Sequence, residues 1–481
     1  MDATTTASPS AAAPPQYTRR RPEEGLLYRL IDEHLDHFIA MISQDERGLP
    51  QRVIDEFRAY LDCGILERGF ILRCCLSCNY FHCLGFSCRL RGFCPSCMSK
   101  RSAVVAAHLV DHVIPHVSTR QWVVTLPIHL RYLVAHHREI QKKVHGMINR
   151  AISGYYCAFG RSRGGPHAQS GFVSFSQYAS SDLSLNPHFH IIYLDGAYGR
   201  TSDGTLRFYH SPAPTQADVE KVLATIAATI IAYLIKLGVL STEAEWLEVP
   251  ASGTLHEDHP IYARMLHASA LGYTTQGAQT FHKVRKLGKG YGYLGESAAF
   301  KGPFCARQNG FTIHCARRIK SERRKELEQL IGYVTRPPLS EKRLALLPSG
   351  EVEITLKNPY ADGTKAIVLT PMGLLSKLSA IIPPAWAHLT RYGGILAPAA
   401  KDRAAVVPSP KEAAADPEHL AKGGSYHWAA MLKRIFAVDL TICPRCGSLL
   451  KSIAAITDPA SIAAILSHSS QGPDPPLPKA A

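Results

Sequence analysis

At 481 residues with 46% hydrophobic side chains, the chain is long enough for about two to four globular domains, each with its own core. A formal charge of +15 points to a polyanionic partner, because Lys and Arg that bind phosphates release condensed counterions, and nucleic acid fits best. A membrane-spanning or secreted class is excluded by pattern: the most apolar run, 222–235, is about fourteen residues long, contains Thr225 and Thr229, and falls short of a bilayer span, while 1–16 is small and polar with no signal-peptide core. The expected setting is the bacterial cytoplasm, in association with the nucleoid. There thirteen cysteines stay mostly reduced, so their clustering points to metal rather than disulfides.

In chain order, 1–23 reads as disordered, and Leu26 to Ile42 carries apolar residues at the three- and four-residue intervals of an amphipathic helix. Eight of the thirteen cysteines follow between Cys63 and Cys97, then a Lys/Arg-flanked helix from about Ser102 to Val113. Residues 24–115 are therefore expected to form a helical and zinc-binding domain. Gln121 to Leu126 is rich in β-formers and stopped by Pro127, and a helical stretch extends from there to about Tyr156. Gly171 to Tyr178 and His188 to Leu194 read as neighbouring strands. Thr215, three positions before Asp218, reads as the cap of a buried helix. A basic helix over about Ile319 to Val334 is terminated by Pro337-Pro338, which completes a catalytic domain expected over 116–345. A β/helical extension, 346–400, holds short β-like segments around Val352 and Val368. An Ala/Pro/Lys-rich linker over 401–424, a small Cys-pair unit over 425–470 and a Pro-rich tail over 471–481 close the chain.

Cys75-x2-Cys78 and Cys94-x2-Cys97 have the spacing of a four-thiolate structural zinc site, two knuckles each supplying two sulfurs to one tetrahedral ion. Cys63, Cys74, Cys83, Cys88 and His82 are near enough in sequence to substitute, or to hold a second ion. Arg91 and Arg101 lie beside the pairs and are candidates for contact with a DNA backbone. Cys443-x2-Cys446 is half of a further site whose other half, Cys305 and Cys315 or a second subunit, stays open. On a strand, residues two apart point the same way, so His188 and His190 share a face and form half of a divalent-metal site. Gln177 on the preceding strand is the candidate third ligand, and Asn186 sits at the strand entry. Tyr333 ends the basic helix just before Arg336 and Pro337, where a phenol can reach a cleft. A phenol is mostly protonated at neutral pH, so its attack on a phosphodiester needs the proton removed as the bond forms. Arg317, Arg318 and Arg336 suit phosphate positioning.

Taken together, these residues resemble the rolling-circle insertion-sequence transposases of the IS91 type, members of the superfamily named for a His-hydrophobic-His motif. The resemblance runs from about Tyr17 to Pro476. It is carried by 86–88 (FSC) with 92–97 (GFCPSC), 120–123 (RQWV), 186–190 (NPHFH), 332–338 (GYVTRPP), 391–394 (RYGG) and 396–398 (LAP). It implies an α+β fold with a central antiparallel sheet flanked by helices, an N-terminal helical and zinc-ribbon domain and a small C-terminal unit. It also implies His188 and His190 as ligands of Mg²⁺ or Mn²⁺, and Tyr333 as a nucleophile that forms a 5′-phosphotyrosine link and frees a 3′-hydroxyl. Element ends and target would be single-stranded DNA, and strand separation would fall to host helicase or replication proteins, since the chain has no G-x-x-x-x-G-K-[ST] loop. Some members carry a second tyrosine four residues after the first; here that position is Pro337, and Tyr392 or a second subunit would have to supply one. Competing readings are a zinc-ribbon DNA-binding module without catalysis, and a metal-dependent hydrolase that uses water.

Overall fold

The computed structural model describes residues 20–43, 48–241, 255, 258–276, 279–288, 302–360, 362–408 and 441–469. The expected disordered start lies outside the described residues except at 20–23, as do 409–424 of the linker, 425–440 and the tail. Two compact units emerge, each built from several chain segments: a smaller one of 1–23, 62–87 and 416–481, and a larger one of 24–61 and 88–415. The fold is mixed α+β, and every strand pairing among the described residues is antiparallel.

The larger unit is organised by one sheet whose strands run in the order Cys305–Gln308, Phe311–His314, Thr119–Thr125, Leu185–Leu194, Gly171–Ala179 and Thr390–Gly394. Arg318–Ile319 adds a short pairing to Thr119 and Arg120. Strand alternation divides the side chains between two faces. Trp122, Val124, Phe189 and Ile191 point to one face, where Trp122 donates to the hydroxyl of Tyr156 at 3.0 Å and Phe189 meets His145, both on the helix Arg138–Ser162. The other face carries Val173, Phe175 and Ile192, covered by Ala106, Leu109 and Val110 of the helix Pro95–His112 and by Leu327, Leu330 and Ile331 of the helix Arg324–Thr335.

Helix ends follow local chemistry. Thr215 accepts from the Asp218 amide while the Asp218 carboxylate accepts from Thr215, so the expected cap of the helix Gln216–Lys236 is a reciprocal capping box. That helix stays within the unit, and no helix among the described residues is long and apolar enough to cross a membrane. The basic helix begins five residues later than expected, at Arg324, because Arg318 and Ile319 are drawn into sheet pairing. In the stretch expected as linker, Val406 of the short helix Arg403–Val406 is buried in the same apolar layer as Leu396. A second sheet, in the order Arg285–Leu287, Ala366–Leu369, Val352–Thr355 and Leu344–Leu346, contains the two β-segments expected around Val352 and Val368.

The smaller unit is a three-stranded sheet with Phe70–Cys75 at its centre, Phe81–Gly85 on one side and the sequence-remote strand Leu450–Ile456 on the other. Phe70, Leu72 and Ile462 form its apolar core.

Candidate active site

The strand Leu185–Leu194 alternates in burial over its first half, with Leu185, Pro187 and Phe189 buried and Asn186, His188 and His190 partly open. The two imidazoles thus share a face, their ring centroids 5.1 Å apart. Pro187 is tolerated inside a central strand because the register against Gly171–Ala179 shifts between Gln177 and Ala179, where a missing N–H breaks no regular ladder. His188 Nδ1 lies 2.7 Å from the Asn186 carbonyl and can only donate to it, which leaves Nε2 with its lone pair free. His190 Nδ1 lies 2.9 Å from the side-chain amide of Gln121. Burial pushes His188 down to about 4; burial, then the neighbouring His188, holds His190 well below the ordinary imidazole range. Both rings are therefore neutral at physiological pH, the form that binds a metal. Asn186 Oδ1 is buried without a hydrogen-bond partner among the described residues, on the same face.

Gln177 is the cross-strand partner of His188, and its amide donates to the carbonyl of Val334. One side chain therefore links the histidine strand to the residue next to Tyr333. The helix carrying Tyr333 is held at its other end by Arg324, whose guanidinium donates to the carbonyls of Ile114 at 2.8 Å and Pro115 at 3.2 Å, closing the C-terminal end of the helix Pro95–His112. Nearer the tyrosine, Ser102 Oγ donates to the Gly332 carbonyl at 2.9 Å and sits 2.7 Å from the Thr335 hydroxyl. Tyr333 itself is 49% exposed, outside the core, with the Arg336 guanidinium 4.0 Å over its ring. Beside this arrangement an open cleft is lined by the cations Arg91, Arg101, Arg336 and Lys357, by Gln177, and by apolar groups including Met98 and Phe175. Lys357 keeps part of its side chain in solvent; desolvation, then the charges of Arg336 and Arg343, hold its ammonium down to about 8.

The remaining expected residues divide. Arg91 donates to the carbonyls of Ala387 at 2.8 Å and Ala385 at 3.1 Å, and Arg101 to that of Arg89 at 3.0 Å. Arg318 is held by the buried Asp195 carboxylate at 2.7 Å, whereas Arg317 is exposed. For Arg91 and Arg318, then, much of the donor capacity expected to meet phosphate is directed at the protein. Tyr392 packs against the apolar layer, cross-strand from Val173. Sequence reasoning missed Gln121 and Lys357. Strand alternation could have put Gln121 on the histidine face, but no local signal marks Lys357.

The expectation that Cys75, Cys78, Cys94 and Cys97 share one ion is corrected. Cys75 and Cys78 belong to the smaller unit, where they meet Cys443 and Cys446, and Cys94 and Cys97 belong to the larger, where they meet Cys88; within each group the sulfurs lie within 4.8 Å of one another. The spacing permitted either grouping, and the pairing of Phe70–Cys75 with Leu450–Ile456 brought a different knuckle alongside. The same geometry answers where Cys443 and Cys446 go: Cys305 and Cys315 are not in their group.

Residues 171–404 match the family model described as "Putative transposase", and residues 30–126 match one described as "Transposase zinc-binding domain". The two matches make this a transposase, a DNA-cleaving and strand-transferring class of enzyme whose partner is DNA, and the cysteine groups fit structural zinc. Because the zinc-binding model is that of the IS91 transposases and precedes the transposase match in the chain, the protein belongs to the IS91 family. No curated protein and no solved structure matches the chain.

Proposed function

We propose that this transposase cuts and rejoins single DNA strands at the ends of a rolling-circle insertion sequence, with Tyr333 as the nucleophile. The observation that carries the proposal is the double role of Gln177, paired with His188 on one side and bonded to Val334, the neighbour of Tyr333, on the other. It supports a single phosphate-sized space between the imidazoles and the phenol.

The donor set fits Mg²⁺ or Mn²⁺. His188 offers Nε2. His190 does the same when Gln121 presents its amide oxygen to Nδ1–H, an orientation available by exchanging the amide's O and N. Gln177, whose nitrogen is engaged by Val334, retains Oε1, and the unpartnered Oδ1 of Asn186 is a second oxygen. A divalent ion held there would draw charge from the scissile phosphate. Tyr333 Oη attacks phosphorus, the phenolic proton is lost as the O–P bond forms, and the 3′-oxygen departs as a hydroxyl. The resulting 5′-phosphotyrosine conserves the phosphodiester linkage, so a 3′-hydroxyl can reverse the step without ATP. Arg336, against the tyrosine ring, and Lys357, which lines the same cleft, would hold the strand's phosphates. With Pro337 at the second-tyrosine position, each chain contributes one nucleophile. Strand separation falls to a host helicase.

The test is a nicking assay on single-stranded oligonucleotides with Mg²⁺ or Mn²⁺, resolving protein–DNA adducts on denaturing gels. The parent should form a covalent adduct and Tyr333→Phe none, with stability unchanged within about 0.5 kcal/mol because the position is half exposed. Cleavage by the parent without an adduct would show that water is the nucleophile; binding without cleavage would leave only a DNA-binding module.

A further inference from the structure

The C-terminal Cys443-x2-Cys446 lies outside both matched family regions, 365 residues or more from its partners in the chain. Its turn has the same construction as the one at Cys75-x2-Cys78. In each, the residue after the second cysteine has a left-handed backbone, Asn79 at φ 54° and Gly447 at φ 75°. In each, that residue's N–H donates to the carbonyl of the first cysteine, at 2.8 Å for Asn79 to Cys75 and 2.9 Å for Gly447 to Cys443. The amide of the first cysteine then donates to the carbonyl five residues on, Tyr80 at 2.9 Å and Ser448 at 2.7 Å. Asn and Gly are the residues that take a left-handed backbone at least cost, so both turns are written into the local sequence. Each such turn directs two thiols to one side.

The two turns face each other within the smaller unit. Cys75 Sγ lies 3.4 Å from Cys446 Sγ, Cys78 Sγ lies 3.6 Å from Cys443 Sγ, and all four sulfurs fall within 4.8 Å of one another. A tetrahedral zinc ion with Zn–S bonds of about 2.3 Å spaces its sulfurs about 3.8 Å apart, inside this range. Cys75 and Cys443 are buried, with Leu450 and Tyr80 packed against them, so an ion held by the four sulfurs would be shielded from solvent on that side. Each knuckle is also anchored by its strand: Phe70–Cys75 pairs with Leu450–Ile456, with Cys75 opposite Leu450.

We propose that Cys75, Cys78, Cys443 and Cys446 form a structural zinc site, assembled from two knuckles at opposite ends of the chain. The C-terminal segment is then half of a zinc ribbon whose other half lies before the catalytic sequence, and 88–415 are inserted between them in chain order. Four protein thiolates leave no open coordination position, so the ion supports the fold of the smaller unit and takes no part in strand cleavage. This reading is independent of the one for Tyr333.

The test uses the purified full-length chain. Zinc per chain is measured by inductively coupled plasma mass spectrometry, and thiol accessibility by alkylation with N-ethylmaleimide followed by peptide mapping. The Cys443→Ser/Cys446→Ser and Cys75→Ser/Cys78→Ser variants should each carry one zinc fewer than the parent, and the four-fold variant should lose no more than either. In the parent, the exposed Cys446 should resist alkylation together with Cys75, Cys78 and Cys443, and all four should become reactive together when a chelator strips the metal. That second measurement needs no variant to fold. An unchanged zinc content in Cys443→Ser/Cys446→Ser would overturn the proposal. So would rapid alkylation of Cys446 while Cys75 and Cys78 stay protected, or protection removed by a reductant and indifferent to chelation, the pattern of disulfides.

Discussion

Asp195 directly follows the histidine strand and is completely buried, and three side chains converge on it. Arg120, 2% exposed, donates through Nε at 2.9 Å and Nη2 at 3.3 Å; Arg318 donates through Nε at 2.7 Å; the Tyr156 hydroxyl donates at 3.2 Å. Arg318 begins the segment that leads into the tyrosine helix, so this carboxylate ties the histidine strand to the approach of the nucleophile. Asp195→Asn keeps the size but removes the charge and turns an amide donor toward guanidinium donors. Breaking a buried pair in this way costs about 3–5 kcal/mol, because the remaining charge stays buried without compensation. Arg120→Ala should fall in the same range. Arg318, with 42% of its side chain in solvent, is screened and can rehydrate its surroundings, so Arg318→Ala should cost about 1 kcal/mol or less. Urea denaturation followed by tryptophan fluorescence measures all three, and Trp122, bonded to Tyr156 beside the cluster, is a built-in reporter. Equal losses for Arg120→Ala and Arg318→Ala, or a loss below about 1 kcal/mol for Asp195→Asn, would refute the reasoning.

Further outcomes concern the histidine pair and the cleft. Burial holds His188 down to about 4, so Mn²⁺ affinity measured by calorimetry should stay nearly flat from pH 7 to pH 5, where ordinary imidazoles near 6.5 would already be losing the metal to protons. The same shift has a stability sign: the unfolded chain takes up its proton first, so this contribution to stability is full above about pH 6.5 and declines as pH falls toward 4. A fall in stability as pH rises through that window would contradict it. Lys357→Met should weaken single-stranded DNA binding and reduce the magnitude of the salt slope by about one counterion, read from fluorescence anisotropy at several salt concentrations; an unchanged slope would remove Lys357 from the phosphate contacts.

What the sequence determined by itself is local. Period-two alternation assigns His188 and His190 to one face, Thr215 and Asp218 cap their helix, and Pro337-Pro338 stop the tyrosine helix, because each depends on groups within a few residues of one another. Only tertiary structure decided the choices between equivalent local partners. Arg318 and Ile319 became strand because Thr119 and Arg120 offered an open ladder; Cys75 and Cys78 met Cys443 and Cys446 because Leu450–Ile456 completed the sheet beside them; Lys357 reached the cleft through no pattern of its own. Those choices are made by burying apolar faces across hundreds of residues, an energy to which no short window of sequence has access.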